Sequence, residues 1–141
     1  MAHTIHLEVV TPEKIVVSEP ALIVNAPGAE GEFGVLPGHT TFLAALKIGA
    51  LRYRDENNRE RIVFISGGFA EATPTKVTVL AESAERRCDI DIDRAKEALA
   101  RALKRLETGE PDLDFERAKS ALLRAQTRMS MAESRRSRMM Q

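Results

Sequence analysis

"VTVLAESAERRCDIDIDRAKEALARALKRLE", Val77 to Glu107, changes its period part-way along. Through about Ala81 apolar residues alternate with polar ones, as in a half-buried strand. From Asp89 onward Ile92, Ala95, Leu99, Ala102 and Leu106 recur at steps of 3, 4, 3 and 4, the spacing of one helix face. One switch from period 2 to period 3.6 predicts a strand module followed by a helical one, with the boundary near residue 86.

Upstream of the switch, "IHLEVV", "KIVV", "ALIV", "ALRYR", "RIVFI" and "KVTVL" read as short strands. Pro12, Pro20, Pro27-Gly28, Pro37-Gly38, Asn57-Asn58, Gly67-Gly68 and Pro74 fall between or beside them. Strands at such spacing predict an antiparallel sandwich or barrel. "ALRYRDENNRERIVFI" is the clearest hairpin, with its polar tip at Asp55 to Arg59. Phe33, Phe42, Tyr53, Phe64 and Phe69 lie in this half and are expected in the β core. "SGGFAE", Ser66 to Glu71, has no helix after it and reads as a strand-end turn. "EGEFGVLPGHTTFLAALKIGAL", Glu30 to Leu51, stands apart as a glycine-rich, nearly uncharged segment in a chain that is 30% charged.

Downstream, "TGEP" breaks the first helix, with Gly109 at its end and Pro111 just beyond. Phe115, Ala118, Leu122, Ala125, Met129 and Ala132 then mark a second helix, for which Asp112 or Asp114 is a natural N-cap. Two helices joined by a short loop predict an antiparallel hairpin with an alanine-rich seam. Arg94, Arg101, Arg105, Arg117, Arg124, Arg128 and Arg135 fall on one flank of the two seams. A loop centred near Gly109 or Glu110 sets Asp91 opposite Arg128 and Arg94 opposite Arg124. This stripe is either a solvated face of weak pairs or a site for phosphate or carboxylate, whose geometry arginine forks match.

The 141 residues suit one domain or a compact domain with an appendage. The chain is neutral overall, with 21 basic and 21 acidic residues, so no net field points to nucleic acid. The halves differ, since residues 1–85 carry 7 bases and 11 acids and residues 86–141 carry 14 and 10. The net charges are therefore −4 and +4. The basic tail "RRSR", Arg135 to Arg138, reads as a solvated helix end.

Cys88 is the single cysteine, which excludes an internal disulfide framework; a buried or idle thiol in a reducing compartment is expected. "MAHTIHLEVVTPEK" lacks the pattern of a signal peptide, and no apolar run approaches the roughly 20 residues that span a bilayer. A cytosolic protein, or one held at a membrane by a partner, is expected. The sequence lacks GxxxxGK[ST], GxGxxG, HExxH and CxxC, and its histidines (His3, His6, His39) do not form a ligand pattern. Ser66 and Cys88 have no histidine in local sequence to activate them. A non-enzyme is expected, with no metal and no obligatory cofactor.

"HLEVVTPEK", "GEFGVLPGHTTFLAALKIGAL", "SGGFAE", "VTVLAESAER" and "IDIDRA" followed by two Ala- and Arg-rich helices occur in an order that resembles the epsilon subunit of bacterial F-type ATP synthases over essentially the whole chain. The resemblance implies an N-terminal β-sandwich, residues 1–86, and a C-terminal two-helix hairpin, residues 87–141. It implies a rotor subunit of the central stalk at the cytoplasmic face of the plasma membrane, contacting the γ subunit and the membrane rotor ring. Glu32 matches the position that approaches the ring, and His39 one near γ. The hairpin, through Arg101, Arg105 and Arg117 among its arginines, would press on catalytic β subunits and inhibit ATP hydrolysis. Ile90, Asp91, Arg94 and Ala95 match a regulatory ATP-binding pattern that Arg124 and Arg128 complete, with Glu85 a weaker match. Asp93 is an added acid beside that pattern. The rival class is a small-molecule-binding β-sandwich enzyme whose helical tail serves dimerisation.

Overall fold

The computed structural model describes residues 3–109 and 114–140, with side chains described through Ser134. Seven strands come first: β1 (Ile5–Val10), β2 (Ile15–Gly28), β3 (Gly31–Val35), β4 (Phe42–Leu46), β5 (Gly49–Asp55), β6 (Glu60–Ala72) and β7 (Lys76–Arg86). A 3-10 turn (Arg87–Asp89) and two helices, α1 (Ile92–Thr108) and α2 (Phe115–Met140), follow. The chain divides into two compact units, Met1–Arg86 and Arg87–Gln141. It is thus a β-sandwich followed by a two-helix hairpin.

In the sandwich, β1, β2, β5, β6 and β7 pair in a closed ring, antiparallel except for the parallel β1–β7 ladder. β3 adds to β2, and β4 adds to β6. β2 and β6, at 14 and 13 residues, are long enough to pair with different partners along their length. "KIVV" and "ALIV" are accordingly one strand, with Pro20 inside it, and "RIVFI" continues through "SGGFAE" to Ala72. The expected strand-end turn at Ser66 to Glu71 is a correction: Gly67 (φ +66°) and Gly68 (φ +115°) kink β6 without ending it.

Period-2 burial is clean where the ring closes. Ile5, Leu7 and Val9 are buried while His6, Glu8 and Val10 point away, and Leu51 and Tyr53 alternate with exposed Arg52 and Arg54. Each fully buried large side chain, such as Ile5, Leu7, Leu51 or Phe64, contributes about 1.5–3 kcal/mol. Tyr53 is buried and donates its hydroxyl to Glu19 Oε1 at 2.8 Å, and burial pushes its pKa up, so it stays protonated. Phe33 and Phe42 are half-buried and meet edge-on, with centroids 5.3 Å apart. Phe69 departs from its expected core placement and is 54% exposed.

The β5–β6 hairpin turns at the expected tip. Asp55 Oδ1 accepts from the Asn57 and Arg59 amides, both at 2.9 Å, and Oδ2 accepts from Arg61 Nε at 3.1 Å. The unusual segment from Glu30 to Leu51 forms β3 at the edge beside β2, the turn after it, and β4, which pairs along β6 and meets β2 where Gly28 pairs with Leu46, then enters β5.

In the hairpin, Asp91 caps α1 by accepting from the Arg94 amide at 3.1 Å, and Gly109 closes it in the left-handed conformation. Asp114 caps α2 through the Arg117 amide at 3.2 Å; the other candidate cap, Asp112, lies outside the described residues. Ala95, Ala102, Ala118, Ala125 and Ala132 are buried along the seam. Leu99, Leu106, Leu122 and Met129 are only half-buried, because backbones that approach closely on alanine leave longer side chains at the margins. Cys88 is exposed, so of the expected buried or idle thiol the buried form is ruled out.

Candidate functional site

The basic flank of the hairpin becomes a site because α1 and α2 each contribute two arginines spaced four apart. Arg101 and Arg105 from α1 and Arg124 and Arg128 from α2 line a groove of about 250 Å³ whose floor is Ala98, Ala102, Ala118, Ala121 and Ala125. Alanine at these five positions opens the slot between the helices, and long arginine stems can wall it while their heads stay solvated. No carboxylate lines the groove among the described residues. Its chemistry is that of an anion site, with planar forks suited to phosphate or carboxylate oxygens.

A shallower depression of about 300 Å³ adjoins it, lined by Asp114, Glu116, Arg117, Ser120 and Arg124. Arg124 is common to both, so the two share a wall. In the second depression two acids offset two bases. That makes it a weaker anion site than the groove.

The sequence-derived residues regroup accordingly. Arg124 and Arg128 line the groove with Arg101 and Arg105, which sequence had assigned to protein contact. Asp91 and Arg94 do not line it, and the Asp91 carboxylate is occupied as the α1 N-cap. Asp93 is exposed in the first turn of α1. Glu85 belongs to the other unit, half-buried on β7 and paired in register with Phe64. The side chains of Arg135 to Arg138 lie outside the described residues.

The sandwich holds the other two. Glu32 is exposed on β3, opposite Pro27 of β2. His39 is half-buried in the β3–β4 turn, with Nδ1 2.9 Å from the Thr40 carbonyl and its ring 5.1 Å from that of Phe42. The Gly38 amide ties this turn to the Pro74 carbonyl at 2.8 Å beside His39, while Glu32 is held by the β2–β3 ladder. The alanine floor of the groove went unnoticed in the sequence as part of a site. Its signal was present as the Ala-rich seam, read there only as close helix packing.

Family models match both units: the ATP synthase delta/epsilon chain β-sandwich domain over residues 4–87 and its long α-helix domain over residues 89–133. The chain belongs to the ATP synthase delta/epsilon family. It is similar to the ATP synthase epsilon chain of Desulfatibacillum aliphaticivorans, at 69% identity over 136 residues covering 96% of each chain. It is also similar to that of Nitratidesulfovibrio vulgaris strain DP4, at 60% over 106 residues, 75% of this chain and 78% of the relative. Among solved structures it is similar to a chain of the Euglena gracilis mitochondrial ATP synthase, seen by cryo-EM as OSCP/F1/c-ring in rotational state 1. That match has 25% identity and a TM-score of 0.76, covering 88% of this chain and 78% of the other. A chain of the Tetrahymena thermophila mitochondrial ATP synthase central stalk and c-ring shares the fold at 15% identity and a TM-score of 0.63, covering 92% and 97%. Within the delta/epsilon family this chain therefore carries both the sandwich and the helical domain. No described helix is long and apolar enough to cross a membrane.

Proposed function

We propose that the chain is a non-catalytic rotor subunit of an F-type ATP synthase. It joins the central stalk to the membrane ring through its sandwich and restrains ATP hydrolysis through its hairpin. The observation that carries the inhibitory part is the groove in which Arg101, Arg105, Arg124 and Arg128 converge on an alanine floor. A groove lined by four arginines and, among the described residues, by no carboxylate favours an acidic surface, here that of the catalytic β subunits. Glu32 and His39, displayed on the β3 edge and the turn beside it, are the proposed contacts to the ring and to the γ subunit. In this reading the protein is peripheral, held at the cytoplasmic face of the membrane by its partners.

The same groove is the proposed regulatory site for ATP, whose phosphates compete for those guanidiniums. A ligand that binds one hairpin arrangement better than another shifts their balance by its differential affinity alone. Asp91 and Arg94 would then contribute by shaping the start of α1, since the Asp91 carboxylate already caps it.

ATP hydrolysis by a catalytic complex stripped of this chain tests the reading, with the full chain or a version stopped after Arg86 added back. The full chain is expected to lower turnover and the truncated one to bind without lowering it. Replacing Arg101, Arg105, Arg124 and Arg128 with glutamine is expected to abolish the effect. Equal turnover with full and truncated chains would remove the inhibitory role.

A further inference from the structure

His39 is a ring held in place with one nitrogen left over. Its backbone closes a type II turn, Leu36 to His39, in which Pro37 and Gly38 (φ +83°) take the corners and the His39 amide donates to the Leu36 carbonyl at 3.1 Å. The Gly38 amide donates to the Pro74 carbonyl at 2.8 Å, which fastens the turn to the loop before β7. The imidazole lies edge-on to Phe42 at 5.1 Å, and Phe42 lies edge-on to Phe33 at 5.3 Å, so three rings brace one another. Turn and ring are thus fixed before any partner arrives, and preorganisation of this kind lowers the cost of binding.

The tautomer is fixed too. Nδ1 stands 2.9 Å from the Thr40 carbonyl, an oxygen that can only accept, so Nδ1 carries the hydrogen. In the neutral ring Nε2 is then a bare acceptor, and it has no hydrogen-bond partner among the described residues. Leu36, at the head of the turn, is 56% exposed, so a chain seated there can exclude water from Nε2 and strengthen a bond to it. The charged groups nearest in sequence or register are Glu32, next to Phe33, Glu71, next to the Phe42 partner Ala72, and Lys76, which Glu8 holds at 2.8 Å. Among the described residues none of them is hydrogen-bonded to the ring.

We infer that His39 engages its partner as an acceptor, with Nε2 taking a hydrogen bond from an N–H or O–H donor on the docked chain. Resting on the stalk reading above, in which His39 meets the γ subunit, the inference assigns the polarity of that contact and makes it acid-sensitive. A protonated imidazole carries N–H at both positions and accepts at neither. The contact is therefore complete while the ring is neutral and is lost as pH falls through the range in which imidazoles take up a proton. A carboxylate partner would reverse the sign, holding the ring more tightly once it is charged.

The test is binding of the full chain to a catalytic complex that contains γ and has been stripped of this chain, with H39N and H39Q as variants. His39→Asn keeps a donor at the δ position for the Thr40 carbonyl and removes the ε nitrogen, whereas His39→Gln places an uncharged acceptor oxygen at the ε position. At about pH 8, H39N is expected to bind about tenfold more weakly than wild type and H39Q within about threefold of it. Toward about pH 5.5, wild type is expected to weaken about tenfold more than H39Q, which shares every other titratable group. Near-UV circular dichroism of Tyr53, the single tyrosine in a chain without tryptophan, checks that each variant keeps its core. Should H39N lose that signal, the pH comparison of wild type with H39Q decides alone. Equal binding of wild type and folded H39N at about pH 8, or one pH curve for wild type and H39Q, would overturn the inference while leaving the stalk reading intact. Tighter binding of wild type at acid pH would overturn it as well, because the partner would then offer an acceptor. Failure of the wild type to bind at either pH would overturn the stalk reading, and this inference with it.

Discussion

Gly68 shows how one residue can be legible as a type and misread in role. It sits inside β6 with φ +115°, and a Cβ there would press against the Leu80 carbonyl oxygen and lie 2.9 Å from Ala81 Cα. Gly67 has φ +66°, but a Cβ there would make only ordinary contact, with the Glu82 carboxylate at 3.7 Å. Gly68→Ala is therefore expected to cost on the order of 3 kcal/mol and Gly67→Ala about 1 kcal/mol, a ranking that urea denaturation of the two variants would check. The pair "GG" looks the same in a turn and in a kinked strand, because both need positive φ and the partner strand decides between them. Phe69 follows from the same kink, since alternation beyond it sends the aromatic ring outward. Asp55, by contrast, was legible as a hairpin tip, and its chemistry yields a pH prediction. Hydrogen bonds from the Arg59 amide, and then from Arg61 and Asn57, hold its carboxyl below the usual carboxylate range, as Lys76 does for Glu8. A carboxyl depressed by folding stabilises the native state above its unfolded pKa of about 3.9 and loses that contribution as pH falls through the folded value. Thermal melts between neutral pH and pH 3 should therefore decline on the acid side, and Asp55→Asn should flatten that decline. An unchanged acid limb would mean that Asp55 is not among the groups responsible.

At the scale of elements, the helices were legible, and the lining of the groove between them was not. Period, the Asp91 and Asp114 caps and the Gly109 terminus are local properties, each visible in four or five residues. Which arginines share a groove depends on how far the helices slide past each other, and that is set by the turn and by packing rather than by either helix alone. Arg101 and Arg105 thus stand in one groove with Arg124 and Arg128, which the sequence reading had placed in a different role. The seam itself gives the prediction at this scale. Ala102 is 4% exposed in a seam whose other deeply buried members include Ala118 and Ala125, so Ala102→Leu must push the helices apart. Overpacking of this kind costs about 1–3 kcal/mol. The helical signal at 222 nm is expected to melt at lower temperature in the variant, while the near-UV signal of Tyr53 stays where it was. A joint shift of both signals would mean that the hairpin and the sandwich melt as one unit.

For the whole molecule, the closed ring ends at Arg86, one residue past the point at which the sequence divides into −4 and +4 halves. All five ladders of the closed ring lie within residues 5–86, and the last residue of that ring is anchored on both sides. Arg86 pairs in register with Val63, and its Nε donates to the Val16 carbonyl at 3.1 Å. A ring closed by its own hydrogen bonds has its backbone polar groups paired, and its core cluster draws only on residues between Ile5 and Ala84. A chain ending at Arg86 is therefore expected to fold, with a near-UV transition for Tyr53 within a few degrees of the full chain's. The hairpin has no comparable closure, since its buried seam is largely alanine and buries little per residue. A peptide of residues 87–141 should show less helix than the full chain, because short helices in water are marginal without packing. On the function proposed above, a self-sufficient sandwich and a marginal hairpin are what a reversible brake would require: the part that stays docked would be stable, and the part that moves would sit near its balance point. Loss of cooperative unfolding in the truncated chain would place stability for the sandwich in the hairpin, and a hairpin needed for folding could not act as a removable brake.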